Sequence, residues 1–411
     1  MKRGIAFLLL VMLMMSMLVF VPAAQAATRL NNYPIVLVHG LGGFDKLLGM
    51  NYWGGVYNVQ SDLISRGYPT YIVAMGPVSS NWDRACELYA QIKGGTVDYG
   101  KAHAAKYGHA RFGRTYPGFY PQWGTTDPAT GKINKVHLIG HSMGGQTSRT
   151  LVQILSKGNA DEIAATPASE LSTLFKGGNS WVRGVLTMST PHDGSTFAYA
   201  LLGTFPKLQQ MITALATIAG PTATFIYDFK LDQWGIVKSP GESWDAYMKK
   251  VEQSGLWSST KDIASWDLTP EGALELNGWV KAQADVYYFS LGTQTTYREL
   301  FTGHEIATLS MNPLWWGNAA HMGAYTQSGP VPVDKTWWKN DGWVNLISMN
   351  GPKNGSTDQI VNYNGIPQIG KWNYLGVKNG IDHTTIVGIG TLWDPRPTFR
   401  DLADKLGSVP E

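Results

Sequence analysis

Short apolar runs, each followed by glycine or a polar residue, recur along the chain and predict buried β-strands. They are YPIVLVHG, which ends at His39 and Gly40, YPTYIVAMG, which ends near Gly76, and the later runs INKVHLIG, VRGVLTMST and ADVYYFSLGT. Helical or irregular segments separate these runs, and one of them, GQTSRTLVQILSKG, has apolar residues at helical spacing before a terminating Gly158. Strands that alternate with helices in this way predict an α/β fold, with a mostly parallel central sheet flanked by helices.

Ser142 lies where the third apolar run meets the helix, in the stretch HLIGHSMGGQ. The pattern Gly-x-Ser-x-Gly arises easily by chance in a chain with 47 glycines, so the pattern alone decides nothing. Its position at a strand-to-helix junction is what a nucleophile elbow requires, because the serine takes a strained turn and the flanking glycines let the backbone approach closely. We therefore predict that Ser142 is a catalytic nucleophile.

A serine hydroxyl is a weak nucleophile unless an imidazole accepts its proton and a carboxylate orients that imidazole. In α/β-hydrolases the acid and then the base follow the serine along the chain. His383, in a loop before the final helical segment, is the predicted base, and Asp341, in the Asp-Gly turn of KNDGWVNLISMN, is the predicted acid. The alternatives are His192, which follows a strand closely behind the elbow and fits a role in ordering that loop, and Asp382, which is adjacent to His383.

The stretch VHGLGG after the first apolar run completes the predicted site. A His-Gly-x-x-Gly loop after an early strand places a backbone N–H, here that of Leu41, opposite the N–H of the residue after the nucleophile, Met143. Together the two donors would stabilise the oxyanion that develops during acyl transfer.

The first residues have the pattern of a secretory signal peptide. Two basic residues precede an apolar stretch from about Ile5 to Val21, and the small-x-small sequence AQA ends at Ala26. We expect cleavage after Ala26, which removes residues 1–26 and leaves residues 27–411 as a single domain. An uncleaved membrane anchor is the alternative, because the apolar stretch is long.

The net charge and the cysteine content indicate which partners and which disulfides to expect. The formal net charge of +3 is small for 411 residues, and no cluster of Lys and Arg stands out. Nucleic acid is therefore not an expected partner, and a neutral or apolar substrate fits better. Cys86 is the single cysteine, so we expect no internal disulfide and a buried structural thiol on the helix that DRACELYAQ predicts.

Eight stretches together resemble the secreted true lipases of bacilli and staphylococci, over nearly all of the chain after residue 26. They are HGLGG, SSNWDRACELYAQIKGGTVDYG, AHAAKYGHARFGRTYPG, GHSMGGQT, TPHDG, YDFKLDQWG, NDGWVN and SMNGPKNGS. The resemblance implies an α/β-hydrolase fold, hydrolysis of triacylglycerols and a helical lid over the site. It also matches the triad and the oxyanion amides of that family to the residues chosen above, namely Ser142, Asp341, His383, Leu41 and Met143.

The resemblance further implies a structural zinc ion, in an insertion at about residues 81–125. Its matching ligands here are two aspartates and two histidines, a donor set that suits zinc: Asp83, His103, His109 and Asp267. The spacing of these residues alone would not indicate a metal site. Calcium is a second implied metal, at Asp394. Thr385 stands where the bacillus lipases have glutamate, so we expect weaker calcium binding.

A lid is expected at about residues 196–227. This part of the chain contains LLGTFPKLQQMITALATIAGPTATFI, in which Pro206 suits the first turn of a helix and Gly220 suits its end. One apolar stripe runs along that helix, formed by Leu208, Met211, Ile212, Leu215 and Ile218. Such a stripe ordinarily faces a protein core, but in a chain that resembles lipases it suits a lid that turns from the cleft toward an oil surface.

The sequence therefore predicts a secreted triacylglycerol lipase that acts at a lipid or oil-water interface through a Ser-His-Asp acyl-enzyme mechanism. Two alternatives stay open. One is an esterase or phospholipase on the same scaffold, and the other is a secreted lipid-binding protein without catalysis. The sequence gives no indication of the oligomeric state.

Overall fold

The computed structural model describes residues 29–47, 49–201, 209, 210, 213 and 227–411. Its strands, in chain order, are β1 (Ile35–Val38), β2 (Lys46–Leu47), β3 (Met50–Asn51), β4 (Thr70–Val73), β5 (Gly95–Asp98), β6 (Phe112–Tyr116), β7 (Val136–His141), β8 (Val182–Met188), β9 (Tyr287–Gln294), β10 (Thr296–Arg298), β11 (Glu305–Ala307), β12 (Ile360–Asn362) and β13 (Trp372–Asn379). Seven of these strands form one sheet in the order β12-β13-β9-β8-β7-β1-β4, and each neighbouring pair is parallel. The other strands form antiparallel ribbons, β2 with β3, β5 with β6 and β10 with β11.

The helices lie in the connections between strands. In chain order they are α1 (Val59–Ser65), α2 (Asn81–Lys93), α3 (Lys101–Tyr107), α4 (Met143–Lys157), α5 (Ala160–Ala165), α6 (Thr173–Lys176), α7 (Ala198–Leu201), α8 (Trp244–Gln253), α9 (Leu256–Ser259), α10 (Ala264–Asp267), α11 (Pro270–Trp279), α12 (Trp316–Met322) and α13 (Arg396–Gly407). Single 3₁₀ turns occupy Asp232–Trp234, Pro313–Trp315, Lys335–Trp337, Leu346–Ser348 and Thr385–Val387. None of the helices in the described part of the chain combines the length and the apolar character that a membrane span requires.

The hydrophobic core lies on both faces of the sheet. Along β1, Ile35 and Leu37 belong to one buried cluster, whereas Val36 and Val38 belong to the other. Side chains alternate between the two faces of a strand, so a strand that is apolar at every position must be covered on both sides. This is why the strands of the sheet centre appear in the sequence as continuous apolar runs.

The predicted α/β fold with its parallel sheet is confirmed. The five apolar runs form β1, β4, β7, β8 and β9, and the helix predicted after Ser142 is α4. Cys86 is buried on α2, as expected. β12 and β13, at one edge of the sheet, were not predicted, because polar residues such as Asn373 and Lys378 interrupt the apolar pattern of β13.

Two predictions fall largely outside the described residues. The signal peptide at residues 1–26 is one of them. The other is the lid at about 196–227, where the five apolar stripe residues from Leu208 to Ile218 are not described. Within the lid region Gln209, Gln210 and Thr213 are described and exposed, and α7 carries the buried Ala198 and Leu201.

Candidate active site and metal group

Ser142 lies in the tight turn between β7 and α4, at the end of the sheet where the parallel strands finish. Its backbone has φ 56° and ψ −134°, a strained conformation for a residue with a side chain. The turn is held by its neighbours, because the Ser142 N–H donates to the Met188 carbonyl at 2.9 Å and the Thr190 hydroxyl donates to the Ser142 carbonyl at 2.9 Å. The segment around Ser142 therefore forms a sharp turn that directs the serine hydroxyl toward His383.

The glycines around Ser142 are required by close backbone approach. A Cβ atom on Gly140 would lie 2.5 Å from the Gly145 nitrogen, and one on Gly144 would lie 2.0 Å from the Val38 carbonyl oxygen. Both glycines have ordinary negative φ, so the requirement comes from space and not from backbone angles. The first turn of α4 thus packs directly on the end of β1.

Ser142, His383 and Asp341 are joined in a hydrogen-bonded row. His383 Nε2 lies 2.9 Å from Ser142 Oγ, and His383 Nδ1 lies 2.8 Å from Asp341 Oδ2. All three residues are buried. Since the carboxylate can only accept, Nδ1 carries the proton and Nε2 is left to accept from the serine hydroxyl. The three residues selected from the sequence are therefore brought together in the order that proton transfer requires.

Hydrogen bonds also fix the carboxylate of Asp341. Its Oδ1 accepts from the Trp343 and Val344 N–H groups at 3.1 and 2.8 Å, and its Oδ2 accepts from the Thr293 hydroxyl at 2.7 Å. These donors hold the carboxylate in place, with Oδ2 directed toward His383. The indole of Trp343 stacks on the His383 ring, with centroids 5.3 Å apart and planes within 9°.

The two alternatives from the sequence have other partners. The Asp382 carboxylate accepts from the backbone N–H groups of Asn312, Thr384 and Thr385, so it orders the loop that carries His383. His192 is buried, and its Nε2 lies 3.0 Å from the Thr187 hydroxyl. Burial lowers the pKa of His192 well below its ordinary value, so this imidazole is a neutral structural group.

The two predicted oxyanion donors are the N–H groups of Leu41, which lies in the loop after β1, and of Met143, the first residue of α4. Among the described residues, neither of these N–H groups donates to a backbone or side-chain acceptor. A Cβ on Gly40 would lie 2.5 Å from the Ser142 Cβ, which shows how closely the loop after β1 approaches the nucleophile turn.

A buried arginine, which the sequence analysis missed, holds this loop in place. Arg84 on α2 donates to the carbonyls of His39 and Gly76, the latter at 2.9 Å, and to the Thr147 hydroxyl on α4 at 3.0 Å. Burial lowers the pKa of Arg84 to about 10, so the guanidinium stays charged. It ties the ends of β1 and β4 to the helix that follows Ser142. An arginine on an otherwise ordinary helix gives no sequence signal for this role.

A second group of side chains has the composition of a metal site. Asp83, His103, His109 and Asp262 each direct one ligand atom into a common centre, and these atoms lie within 4.8 Å of one another. His103 Nε2 and His109 Nε2 both lie 3.2 Å from Asp262 Oδ2. All four ligand atoms are buried without a hydrogen-bond partner. Unpartnered buried acceptors are costly, and a bound cation would satisfy all four of these atoms.

The surroundings of the group support the same conclusion. The His109 Nδ1 donates to the Ala110 carbonyl at 2.8 Å, which fixes the tautomer that leaves Nε2 free to bind a metal. Burial and the nearby Asp262 carboxylate raise the pKa of Asp83. Two buried carboxylates and two imidazoles therefore fit a divalent cation that takes nitrogen and oxygen ligands.

The choice of Asp267 as fourth ligand is wrong, because the structure places Asp262 in the group instead. The Asp267 carboxylate accepts the Asn81 N–H at 2.6 Å, at the amino end of α2, where a negative charge is favourable. Burial raises the pKa of Asp267 to about 7. Both aspartates occur in the short stretch TKDIASWDLTP, and no pattern in the sequence separates them.

Calcium at Asp394 stays a prediction. The Arg396 guanidinium donates to both Asp394 oxygens, at 2.9 and 2.8 Å. In the described part of the chain, the group around Asp83 is the single cluster of three or more acidic, histidine or cysteine ligands. Thr385 lies in the loop beside His383, where its N–H donates to the Asp382 carboxylate at 2.7 Å.

Comparison with known proteins gives a consistent result. A family model described as "Lipase-like, C-terminal domain" matches residues 31–406. Lipase 1 of Staphylococcus aureus is 39% identical over 370 residues, which are 87% of this chain and 51% of that protein. The chain thus spans about half the length of the curated relatives it matches.

Two solved structures are similar over nearly the whole chain. EstA from Clostridium botulinum is 48% identical with a TM-score of 0.88, and the match covers 94% of this chain and 90% of that one. Lipase 1 from Pelosinus fermentans is 49% identical with a TM-score of 0.85, covering 93% and 100%. The resemblance inferred from the sequence motifs is confirmed.

Proposed function

The chain belongs to the family of lipase-like C-terminal domains, and from this premise we propose that it hydrolyses carboxylic esters of long-chain acylglycerols. The observation that carries the proposal is the hydrogen-bonded row from Asp341 through His383 to Ser142, placed at the start of a helix. A serine and an imidazole in this relation are suited to acyl transfer.

In the first half of the reaction, Ser142 Oγ attacks the ester carbonyl carbon while His383 Nε2 takes the hydroxyl proton. The imidazolium that forms is stabilised by the Asp341 carboxylate. The carbonyl oxygen becomes an oxyanion against the N–H groups of Leu41 and Met143. His383 then gives its proton to the leaving alcohol, and the acyl group stays on Ser142 as an ester.

In the second half, water takes the place of the alcohol. His383 accepts a proton from the water as it attacks the acyl-Ser142 carbonyl, and a second oxyanion forms at the same two N–H groups. Collapse of this intermediate releases the fatty acid and returns the proton to Ser142 Oγ. The buried surroundings of the row limit the access of other water.

An acylglycerol substrate is supported by the apolar side chains beside Leu41. They line a small cleft of about 10 Å³, which must widen to admit an acyl chain, and they are nearly all apolar: Leu41, Val78, Leu201, Trp257, Ile263, Ala264 and Ser265. The amphipathic segment that follows Leu201 fits a lid that covers this cleft in water and opens at an oil surface. We also propose that residues 1–26 direct export of the chain, which would bring it to such a substrate.

We further propose that Asp83, His103, His109 and Asp262 hold a zinc ion. When bound, the ion would neutralise the two buried carboxylates and join α2 and α3 to the segment before α10. It would serve stability and not the reaction, since its ligands form a group separate from Ser142, His383 and Asp341.

The substrate class is tested by measuring fatty-acid release from an emulsified triacylglycerol, beside hydrolysis of a short soluble ester. The wild type should release fatty acid from the emulsion, and its rate on the ester should rise sharply above the solubility limit. Ser142→Ala should abolish both reactions and keep the fold. Turnover of the soluble ester alone would identify an esterase, and no turnover of either would favour a lipid-binding protein.

A further inference from the structure

His141, the residue before the nucleophile, occupies a place that the reaction above does not explain. It is the last residue of β7, and it is buried together with Tyr52. Its Nε2 lies 2.9 Å from the carbonyl oxygen of His383, and its Nδ1 lies 2.7 Å from the hydroxyl of Tyr52. The imidazole therefore bridges a tyrosine to the backbone of the proposed catalytic base.

The partners of His141 determine its protonation. A carbonyl oxygen only accepts, so Nε2 carries the proton and Nδ1 accepts from the Tyr52 hydroxyl. Burial and the neighbouring His383 lower the pKa of His141 well below its ordinary value, and burial raises the pKa of Tyr52. Both side chains are neutral, so they do not compete with His383 for the serine proton.

The chain of hydrogen bonds continues to the oxyanion loop. The oxygen of Tyr52 accepts the N–H of Gly40 at 3.1 Å, and Gly40 directly precedes Leu41. Three bonds thus run from Gly40 through Tyr52 and His141 to His383. They connect the loop that carries one proposed oxyanion donor to the loop that carries the base.

The backbone of His383 is held from two sides by this arrangement. Its N–H donates to the Asp341 carbonyl at 3.1 Å, and its carbonyl accepts from His141. The two imidazole rings lie 4.7 Å apart, so His141 also supports one side of the catalytic ring, while Trp343 stacks at 5.3 Å. These contacts hold His383 itself, while the Asp382 carboxylate orders the rest of its loop.

We propose that His141 and Tyr52 are positioning residues, which fix the distance between the base and the oxyanion donors. This role rests on the proposed ester hydrolysis. Both groups act on the transition state, because the base and the oxyanion donors are needed most when charge develops. Loss of the chain should therefore lower kcat and leave KM nearly unchanged.

The test compares Tyr52→Phe with Tyr288→Phe on a short soluble ester. Tyr288 is a matched control, because it is also buried and its hydroxyl accepts a backbone N–H, that of Gln283, at 2.9 Å on another part of the sheet. We expect kcat to fall about tenfold in Tyr52→Phe, with KM within about twofold, and to change little in Tyr288→Phe. An equal effect of the two variants would reduce Tyr52 to a structural role and overturn the proposal.

Substitutions at His141 give a second readout. A glutamine has an NH₂ group that donates and a carbonyl oxygen that accepts, so it can keep part of the chain, whereas a leucine keeps neither bond. His141→Gln should retain more of kcat than His141→Leu. If the bonds form one chain, Tyr52→Phe should cost little more once His141→Leu is present, so additive losses in the double variant would contradict it.

The protonation of His141 can be observed without turnover. In protein labelled with ¹⁵N-histidine, His141 should show a neutral ring protonated at Nε2 throughout the active pH range, and the Nδ1 resonance should shift in Tyr52→Phe, which removes the hydrogen bond to Nδ1. A ring protonated at Nδ1 would overturn the proposal even if the ester is hydrolysed. A correct ring signature without any Ser142-dependent turnover by the wild type would instead overturn the proposed function, and the positioning role with it.

Discussion

The orientation of the proposed base, His383, depends on the carboxylate of Asp341. An asparagine there has one oxygen in place of two. If that oxygen keeps the bonds to the Trp343 and Val344 N–H groups, the amide NH₂ faces His383 Nδ1 and forces the ring to protonate Nε2. Nε2 then cannot accept the serine proton. Asp341→Asn should lower kcat by about 10³- to 10⁴-fold in steady-state assays on a soluble ester.

Asp382→Asn is the matched control for this prediction. Asp382 is adjacent to His383, but its Oδ1 accepts from the Thr384 and Thr385 N–H groups, which an asparagine oxygen can also do. Its Oδ2 accepts the Asn312 N–H, and an asparagine loses that bond, so the control should lose some stability. It should still keep far more of its kcat than Asp341→Asn. If Asp382→Asn were as inactive as Asp341→Asn, the assignment of Asp341 as the orienting acid would be wrong.

The burial of Glu87 on α2 leads to a separate prediction, namely that the stability of the fold depends on pH. Burial raises the pKa of this carboxyl to about 7, from 4.5. Because its pKa is higher in the folded protein, the stability that the protonated group contributes is present at low pH and is lost as the pH rises through about 7. Glu87→Gln keeps an acceptor for the Gly76 N–H and removes the titration.

The measurement is urea unfolding of the wild type and Glu87→Gln at about pH 5 and about pH 8. The variant should gain about 1–3 kcal/mol relative to the wild type between these two pH values. Glu252→Gln, at an exposed position on α8, should show no such change. A constant difference between Glu87→Gln and the wild type would mean that Glu87 has an ordinary pKa.

Among the elements, the turn from β7 into α4 has strict steric requirements. Gly144 leaves no room for a Cβ, which would lie 2.0 Å from the Val38 carbonyl oxygen. Gly144→Ala should push α4 away from β1 and lower the free energy of unfolding by about 2 kcal/mol or more. Thermal unfolding followed by circular dichroism measures this loss.

Gly278→Ala is the control for a glycine in a helix. Gly278 lies near the end of α11, and a Cβ there would meet nothing within 4 Å. Alanine should therefore leave stability unchanged or raise it by up to about 1 kcal/mol. A Gly144→Ala variant as stable as Gly278→Ala would contradict the close packing of the nucleophile turn.

The strands and the helix predicted from the sequence are those in which burial determines the pattern of apolar residues. β1, β7, β8 and β9 lie inside the sheet and are covered on both faces, so they appear as apolar runs, and the edge strand β4 keeps such a run with two half-buried positions. β12 and β13 lie at the edge and carry polar residues, and the short antiparallel ribbons have too few residues for a pattern. Ser142, His383 and Asp341 were chosen from their order and local context, and the fold brings them together.

Residues that act through tertiary contacts were not predictable in this way. Tyr52 and Arg84 reach the active site from separate segments, and no local motif marks either of them. The fourth member of the metal group was misassigned for the same reason. Asp262 and Asp267 have similar local sequences, and only the packing of the loop before α10 against α2 decides which of them faces His103 and His109.

At the scale of the whole molecule, we expect the metal group to stabilise the fold. It joins residues 83–109 to Asp262, two segments that are far apart in the chain. Asp262→Asn should lower the zinc content of the purified protein well below one ion per chain and lower Tm, and a chelator should lower the Tm of the wild type in the same way. Elemental analysis and calorimetry measure the two quantities.

Asp267→Asn distinguishes the two aspartates. It keeps an oxygen for the Asn81 N–H and removes no ligand from the group, so its zinc content should match that of the wild type. Loss of zinc in Asp267→Asn, with zinc retained in Asp262→Asn, would reverse the assignment. A wild type without any bound divalent metal would refute the proposed site itself.

The proposed mechanism requires a covalent acyl group at Ser142. Turnover of a p-nitrophenyl ester can be stopped with acid during the steady state, and the acyl group can be located by peptide mass spectrometry. We expect the acyl mass on the peptide that contains Ser142, a larger acylated fraction with slowly hydrolysed acyl groups, and no acylation in Ser142→Ala. Ester hydrolysis without acylated Ser142, or with the acyl group on another residue, would contradict this mechanism.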